Sequence, residues 1–143
     1  WKQTLAAIEG LSRYEPDPYD GYAVEYLNPS NGKTATPNIA AWMQKLPKGF
    51  HSKAHRHTHS VIYQVYKGSG YSVINGVRFD WSEGDFLVIP NWVWHEHKAE
   101  EDTYLFSVSD LPIMEKFEVE REEAFTENNG HQEIRSVFEP LLP

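Results

Sequence analysis

The order of hydrophobic and polar residues divides the chain near residue 21. Within residues 1–12 the apolar side chains recur at helical spacing, which predicts one short helix. Pro16 and Pro18 end that pattern. From residue 21 to about residue 109, short apolar runs alternate with turn signals and predict β-strands. The predicted strands are 22–27, 39–46, 61–66, 71–74, 77–81, 86–89 and 104–108.

The spacing of these strands predicts the fold class. Asn75-Gly76 separates two of them by two residues, which is a strong hairpin signal. Short strands that follow one another without helices indicate an all-β barrel or sandwich. The strands at 61–66 and 86–89 are apolar at successive positions, so both of their faces need cover. We therefore expect a barrel over 21–110 with a partner surface on its outside.

The segments on either side of this barrel differ from it in charge and pattern. Residues 1–20 are predicted as a helix and linker, and residues 111–143 as a short helix at 111–117 followed by a loosely structured acidic tail. Residues 1–99 carry 9 acidic and 10 basic side chains, whereas residues 100–143 carry 12 and 3. We interpret the acidic run at 118–123 as a solvated surface.

Composition excludes several classes of protein. The 143 residues fit one domain, and the absence of cysteine leaves histidine and carboxylate as metal ligands. A net charge of −8 opposes nucleic-acid binding. No apolar stretch approaches the roughly 20 residues of a membrane span, and no signal-peptide pattern is visible, so we expect a cytoplasmic protein without a membrane partner. Because the chain starts with Trp1, we expect a piece of a longer polypeptide.

Six of the seven histidines fall into two short groups, at 51–59 and 95–97. His55 and His57 are two residues apart and project to the same face of an extended chain. His95 directly follows a later predicted strand. Three imidazoles from two strands form a site for iron, zinc or another divalent transition metal. The alternative is that these are ordinary loop or core histidines.

The spacing around these histidines resembles that of the cupin superfamily. Residues 49–68 read G-x5-H-x-H-x3-V-x6-G, and residues 84–95 read G-x5-P-x4-H. These patterns are similar to the first and second cupin motifs. The resemblance implies a double-stranded β-helix, or jelly-roll, barrel. Here that barrel would carry a short N-terminal helix and an acidic C-terminal extension.

The run from 66 to 97, followed by YLFSVSD, resembles the gentisate 1,2-dioxygenase family. Members of that family have two cupin barrels, and this chain is most similar to the second, C-terminal one. The resemblance implies a non-haem Fe(II) held by three histidines, here His55, His57 and His95. It also implies that a small hydroxylated aromatic acid and O2 are the substrates of an extradiol-type ring cleavage. Another divalent metal or an empty site remains an alternative.

Two departures from the family pattern bear directly on the site. Val61 stands where cupins usually carry a glutamate ligand, and Tyr63 stands where the family's catalytic barrel has an arginine for the substrate carboxylate. A supporting barrel without chemistry of its own is therefore a second interpretation, and a metal-binding single cupin of other function is a third. Either a homo-oligomer or intramolecular pairing with a second cupin would cover the outer face.

Four further residues are candidates for the surroundings of the metal. We expect His59 and His97 to orient a ligand or to contact a bound molecule, and Tyr63 and Trp94 to line a pocket. The alternatives are exposed loop positions for the histidines and core packing for the aromatic rings. Arg56, between two inward histidines, should point outward.

Overall fold

A computed structural model describes residues 1–141 as short strands with two helices. The helices are α1 (Lys2–Leu11) and α2 (Leu111–Lys116), and a 3-10 turn spans Asn128–Gly130. The strands are β1 (Tyr22–Glu25), β2 (Ala40–Leu46), β3 (His55–His57), β4 (Val61–Lys67), β5 (Ser69–Ile74), β6 (Val77–Ser82), β7 (Phe86–Ile89), β8 (His95–Ala99), β9 (Thr103–Ser109), β10 (Glu122–Ala124) and β11 (Ser136–Val137). None of the helices in this range has the length and apolar character needed to cross a bilayer.

The strands form two sheets whose inner faces enclose one core. The first sheet has the order β1-β2-β9-β4-β7, and the second has the order β10-β3-β8-β5-β6-β11. This arrangement confirms the predicted all-β class. Both sheets contribute side chains to this core. Its buried members are Leu46, Val61, Tyr63, Val65, Trp81, Leu87, Ile89, Ala99 and Leu105.

The hairpin predicted at Asn75-Gly76 is present between β5 and β6. Ile74 pairs with Val77, so only two residues make the turn. Both have positive φ, 49° at Asn75 and 80° at Gly76. Asparagine and glycine are the residues that adopt this left-handed conformation most readily, which is why the sequence signal was reliable.

Part of the outer face of the first sheet is apolar. Ile62 lies opposite Val88 in the register of β4 and β7, and Phe86 lies two residues before Val88 in β7. These three side chains keep 45%, 57% and 66% of their surface exposed. Helix α1 packs against β1 and β2 of the same sheet, and the ring of Trp1 packs at a tilt against Tyr66 of β4, with centroids 4.6 Å apart. The apolar surface expected outside the barrel is therefore present and only partly covered within residues 1–141.

The prediction of a loosely structured acidic tail is wrong for two segments. Strand β10 pairs antiparallel with β3, and β11 pairs parallel with β6. Their side chains are exposed, so their pattern of hydrophobic residues gave no sign of a strand. Backbone hydrogen bonding to the open edges of the second sheet holds them instead. Residues 142 and 143 of the expected tail lie outside the described residues.

The sequence pattern also does not predict β3 and β8. Both are short and rich in histidine, and histidine is not a strand signal. Their histidines are nevertheless buried, because the strands lie in the middle of the second sheet and face the first. These two strands position the candidate site.

Candidate metal centre

The second sheet brings His55, His57 and His95 together. His55 is paired directly with His95 in the register of β3 and β8. His57 projects from the same face of β3 as His55, two residues further on. One ring nitrogen from each histidine lies within 4.8 Å of the other two, and all three side chains are buried. The three residues selected from the sequence thus form one cluster.

Backbone carbonyl oxygens fix the orientation of two of these rings. Nδ1 of His57 donates to the carbonyl oxygen of His59 at 2.7 Å. Nδ1 of His95 donates to the carbonyl oxygen of Val93 at 3.0 Å. Nδ1 therefore carries the proton, and Nε2 is left as the nitrogen with a free lone pair. Nε2 of His95 is buried and has no hydrogen-bond partner among the described residues. A buried ring nitrogen with an unused lone pair is suited to bind a metal ion.

A carboxylate from the C-terminal segment orients the third ring. Nδ1 of His55 donates to Oε1 of Glu122 at 2.9 Å, again leaving Nε2 for a ligand. The hydrogen bond to His55 is the main cause that lowers the pKa of Glu122, so this carboxyl is ionised at neutral pH. A carboxylate behind a histidine raises the basicity of the ring and fixes its tautomer.

Burial keeps two of the triad histidines neutral. Burial is the main cause that lowers the pKa of His57 to about 4, with the neighbouring His59 adding to it. The pKa of His95 is also held well below its usual value, first by burial and then by His55. Because only neutral imidazole binds a metal, these rings are competent ligands at pH 7.

A cavity of about 360 Å³ opens beside the triad. None of the described residues that line it is a lysine or an arginine, whereas four of them are acidic. The cavity therefore attracts a cation, and an anionic ligand needs a metal ion to offset this charge. The lining residues are Asp20, Ala23, Trp42, Gln44, His55, His57, His59, Val61, Tyr63, Ser107, Ser109, Leu111, Glu115, Glu120 and Glu122.

Asp20 is the most deeply placed of the four acids. Burial raises its pKa above the usual value, although the nearby His55 works in the opposite direction. Its Oδ1 accepts a hydrogen bond from Nε2 of Gln44 at 2.7 Å. The adjacent Tyr19 stacks on the ring of His55 with centroids 4.8 Å apart. The segment that follows α1 thus forms one wall of the cavity.

Comparison with known proteins assigns the family of the barrel. Residues 42–109 match the cupin domain family. The barrel is a cupin. This confirms the family indicated by the two histidine motifs and the jelly-roll fold expected from them.

Relatives of this cupin are dioxygenases that act on aromatic acids. The chain is 37% identical over 142 residues to a 5-aminosalicylate 1,2-dioxygenase of Comamonas sp, covering 97% of this chain and 38% of that protein. It is 34% identical over 123 residues to a gentisate 1,2-dioxygenase of Aquipseudomonas alcaligenes, covering 85% and 35%. The resemblance to the gentisate 1,2-dioxygenase family is confirmed. The chain spans little more than a third of the length of these relatives.

A solved structure shows the same cupin. Salicylate 1,2-dioxygenase from Pseudaminobacter salicylatoxidans superposes with a TM-score of 0.80 at 29% identity, covering 86% of this chain and 37% of that one. A variant of that enzyme has been solved in complex with gentisate.

The two departures from the family pattern lie on the cavity wall of this cupin. Val61 supplies no fourth ligand, so the cluster consists of three nitrogen donors. Tyr63 is 4% exposed and lies against His97, with ring centroids 5.0 Å apart. Burial raises the pKa of the Tyr63 phenol, which therefore stays neutral and provides no positive charge.

The other sequence candidates have different surroundings. His59 stacks on His57 with ring centroids 3.6 Å apart, and its Nδ1 donates to Glu120 at 2.8 Å. His97 is buried deeper, where its Nδ1 is hydrogen-bonded to Oγ of Ser72 at 2.7 Å. Both histidines thus lie close to the triad and are held by other side chains.

Trp94 does not reach the cavity. Its ring packs against the guanidinium of Arg56, 4.4 Å from the ring centroid, and edge-on against Phe125. The interpretation of Trp94 as a pocket residue is therefore not supported by its position, because β3 presents Arg56 to the face opposite the triad. The outward direction predicted for Arg56 agrees with this contact.

Sequence reasoning missed the acidic residues of the cavity. The run at 118–123 is largely exposed, as expected, and the Glu122 side chain is 60% exposed. The interpretation as a solvated surface did not anticipate that Glu120 and Glu122 also bind histidines of the site. Their side chains bind His59 and His55. Their two-residue spacing places both on one face of an extended segment, and this signal could have found them. Asp20 gave no comparable signal, since it lies in an irregular linker.

Proposed function

We propose that His55, His57 and His95 hold Fe(II) in a gentisate 1,2-dioxygenase-like protein that cleaves the ring of a hydroxylated aromatic acid with O2. The observation that carries this proposal is the convergence of three histidines whose Nδ1 atoms are all hydrogen-bonded to oxygen acceptors. The names of the related dioxygenases support the reaction class. The iron, the substrate and catalysis by this barrel belong to the proposal.

The chain's own residues would hold the ion and shape the space beside it. Three imidazole ligands would leave coordination positions open for a substrate and for O2. When bound, Fe(II) supplies electrons for O2 activation and a positive centre for the oxygen donors of the substrate. The cavity volume of about 360 Å³ lies within the usual range of small-molecule sites. Trp42 provides an aromatic wall for a planar ring.

A second candidate function is a supporting barrel without chemistry of its own. The absence of lysine and arginine among the described residues lining the cavity favours it. A substrate carboxylate would then lack the cationic side chain that the family resemblance implies at the position of Tyr63. The metal-binding cupin of other function is a third candidate, and the same experiment distinguishes it.

Anaerobic reconstitution with Fe(II) tests the proposal. The intact protein is given gentisate, salicylate or 5-aminosalicylate, and O2 uptake and the ring-opened product are followed. We expect stoichiometric uptake that is lost in His57→Ala and kept in the control Glu123→Gln. Glu123 is next to Glu122, but its carboxylate pairs with Arg56 outside the cavity. If Fe(II) binds to the triad but no substrate is consumed, the third candidate is supported. If turnover is unchanged in His57→Ala, the supporting role is correct.

We also propose that another cupin barrel covers the exposed face formed by Ile62, Phe86 and Val88. It would come either from the same polypeptide, as in the second half of a bicupin, or from another copy of the chain. The contiguous apolar surface supports this assembly. The division into 1–20, 21–110 and 111–143 and the cytoplasmic location stay predictions, which limited proteolysis and cell fractionation would check.

A further inference from the structure

A second cluster of potential ligands lies on the other side of β8. Along this strand, His95 and His97 face the barrel interior, and Glu96 between them faces the opposite side. Oε1 of Glu96 accepts a hydrogen bond from Nε2 of His51 at 3.1 Å and lies 3.7 Å from Nδ1 of His131. The three ligand atoms lie within 4.8 Å of one another.

Glu96 is a buried carboxylate without a permanent counter-charge. Its side chain is only 2% exposed, and its ion-pair partners among residues 1–141 are the two histidines rather than a lysine or an arginine. Burying a carboxylate in this way is costly unless a cation accompanies it. In addition, Nδ1 of His131 is buried and has no hydrogen-bond partner within the described chain. Glu96 and His131 thus provide a buried acidic oxygen and an unpaired nitrogen that a cation could bind.

The C-terminal segment holds the carboxylate in position. Oε2 of Glu96 accepts a hydrogen bond from the backbone N–H of Gln132 at 2.9 Å. The side chain of Gln132 is itself fixed, because its Nε2 donates to the carbonyl oxygen of Val73 at 2.8 Å. Oε1 is therefore the oxygen left to face His51 and His131. Supporting hydrogen bonds of this kind orient ligating carboxylates in metal sites.

We propose that His51, Glu96 and His131 form a second metal site, for a divalent ion such as Zn²⁺, which fastens the C-terminal segment to the barrel. Two imidazoles and one carboxylate are a recognised zinc ligand set. Tetrahedral zinc with bonds of about 2.0–2.1 Å places its ligand atoms about 3.3 Å apart. The separations of 3.1 and 3.7 Å are close to that value.

This site is independent of the triad and of the proposed ring cleavage. His51 and His131 are 29% and 26% exposed, so solvent reaches the cluster and can supply a fourth ligand. His51 precedes β3, and His131 directly follows the 3-10 turn of the C-terminal segment. A bound ion would thus join two parts of the chain that are 80 residues apart in sequence and would stabilise the native state by mass action.

Counting bound Zn²⁺ in variants of the intact protein tests the proposal. Metal is removed with a chelator, Zn²⁺ is added, and the metal kept after dialysis is measured per chain. We expect His131→Ala and Glu96→Gln each to bind one equivalent less than the wild type. His55→Ala should lose a different equivalent, so the double variant His55→Ala/His131→Ala should lose two. Glu96→Gln keeps one oxygen to accept from Gln132, while the charge is lost and an NH2 group replaces the other oxygen, which would bind the metal.

Amide hydrogen exchange provides a second measurement in the His55→Ala background. Zn²⁺ should slow exchange of residues 128–132 there, and it should have no such effect once His131 is also replaced. The proposal is overturned if His131→Ala binds as much Zn²⁺ as the wild type, or if Zn²⁺ leaves exchange of residues 128–132 unchanged. Neither result depends on whether the protein cleaves an aromatic ring.

Discussion

Oε1 of Glu122 accepts a hydrogen bond from Nδ1 of His55 across 67 positions of sequence, at 2.9 Å. The acidic C-terminal segment is therefore part of the candidate metal centre rather than an appendage. Strand β10 brings the carboxylate there by pairing with β3, the strand that carries His55 and His57. In the sequence Glu122 belongs to a run of charged residues typical of a solvated surface. In the fold its carboxylate orients the ring of His55.

Removing this carboxylate should weaken metal binding. We expect Glu122→Ala to lower the Fe(II) affinity of the triad by about 10–100-fold, because His55 loses the acceptor that fixes its tautomer. Anaerobic competition against a chromophoric chelator measures the affinity. The matched control is Glu123→Ala in the same strand, where the lost partner is Arg56. Equal losses in both variants would show that β10 pairing, not the hydrogen bond, matters.

Much of the fold follows from hydrophobic periodicity. Strand β4 shows why, since Val61 and Val65 enter the core while Ile62 faces outward. The hairpin at Asn75-Gly76 follows from local turn chemistry. By contrast, β10 and β11 pair with β3 and β6 at the two edges of the second sheet, whose other strands come from earlier in the chain. The side-chain contacts that accompany this pairing, such as Glu122 with His55, join residues far apart in sequence, so no local pattern reveals the strands.

The candidate site also contains some residues that the sequence identifies and others that it does not. His55, His57 and His95 could be selected because their spacing matches the two cupin motifs and puts His55 and His57 on one face of an extended segment. Glu122 could not be placed without knowing that β10 pairs with β3. The charge of the cavity was equally hidden, because Asp20 comes from a linker and its approach depends on the tertiary packing of that segment.

The buried histidines should make the metal-free protein sensitive to acid. Burial is the main cause that lowers the pKa of His57 to about 4 and that of His97 to about 3. In the unfolded chain both titrate near pH 6.5. Above pH 6.5 they are neutral in both states and the protein has its full stability. Below pH 6.5 both histidines bind protons in the unfolded state, whereas in the folded state they stay neutral until the pH is much lower.

Stability should therefore fall as the pH is lowered from about 6.5 towards 4. Each of these histidines contributes roughly 1.4 kcal/mol per pH unit within that window. Urea unfolding of chelator-treated protein at pH 7, 6 and 5 measures the slope. His97→Gln removes one titrating group, so its slope should be shallower than that of the wild type. A stability that stays constant from pH 7 to 5 would contradict the neutral, buried state of both rings.

Gly70 should tolerate no side chain. A Cβ there would lie 2.9 Å from Cζ2 of Trp81 and closer still to the backbone oxygen of Lys98. Neither neighbour can move freely, since Trp81 is in the core and Lys98 is in the adjacent strand. We expect Gly70→Ala to lower the free energy of unfolding by about 1–3 kcal/mol. Chemical denaturation measures this value.

Gly10 is the matched control for that substitution. It lies in α1, and a Cβ at this position would meet no atom within 4 Å. Gly10→Ala should therefore stabilise the protein, by roughly 0.5–1 kcal/mol, because alanine loses less backbone freedom in a helix than glycine does. Destabilisation of similar size in both variants would argue against a specific close contact at Gly70.

The exposed face of β4 and β7 should be needed for assembly and not for folding. Val88 lies at its centre, 57% exposed and opposite Ile62. A lysine there meets solvent in the free barrel but would place an unpaired charge in a covered interface. We expect Val88→Lys to leave the unfolding midpoint of the free barrel almost unchanged and to shift the protein towards smaller species. Size-exclusion chromatography with light scattering detects that shift if the partner barrel belongs to another copy.

If the partner barrel is in the same polypeptide, the change appears instead as faster amide exchange in β4 and β7. Phe117→Lys is the matched control, since Phe117 is 72% exposed and follows α2 rather than belonging to β4 or β7. It carries the same new charge and should change neither the size nor the exchange. An identical response of both variants would mean that the added charge, rather than the face formed by Ile62, Phe86 and Val88, controls assembly.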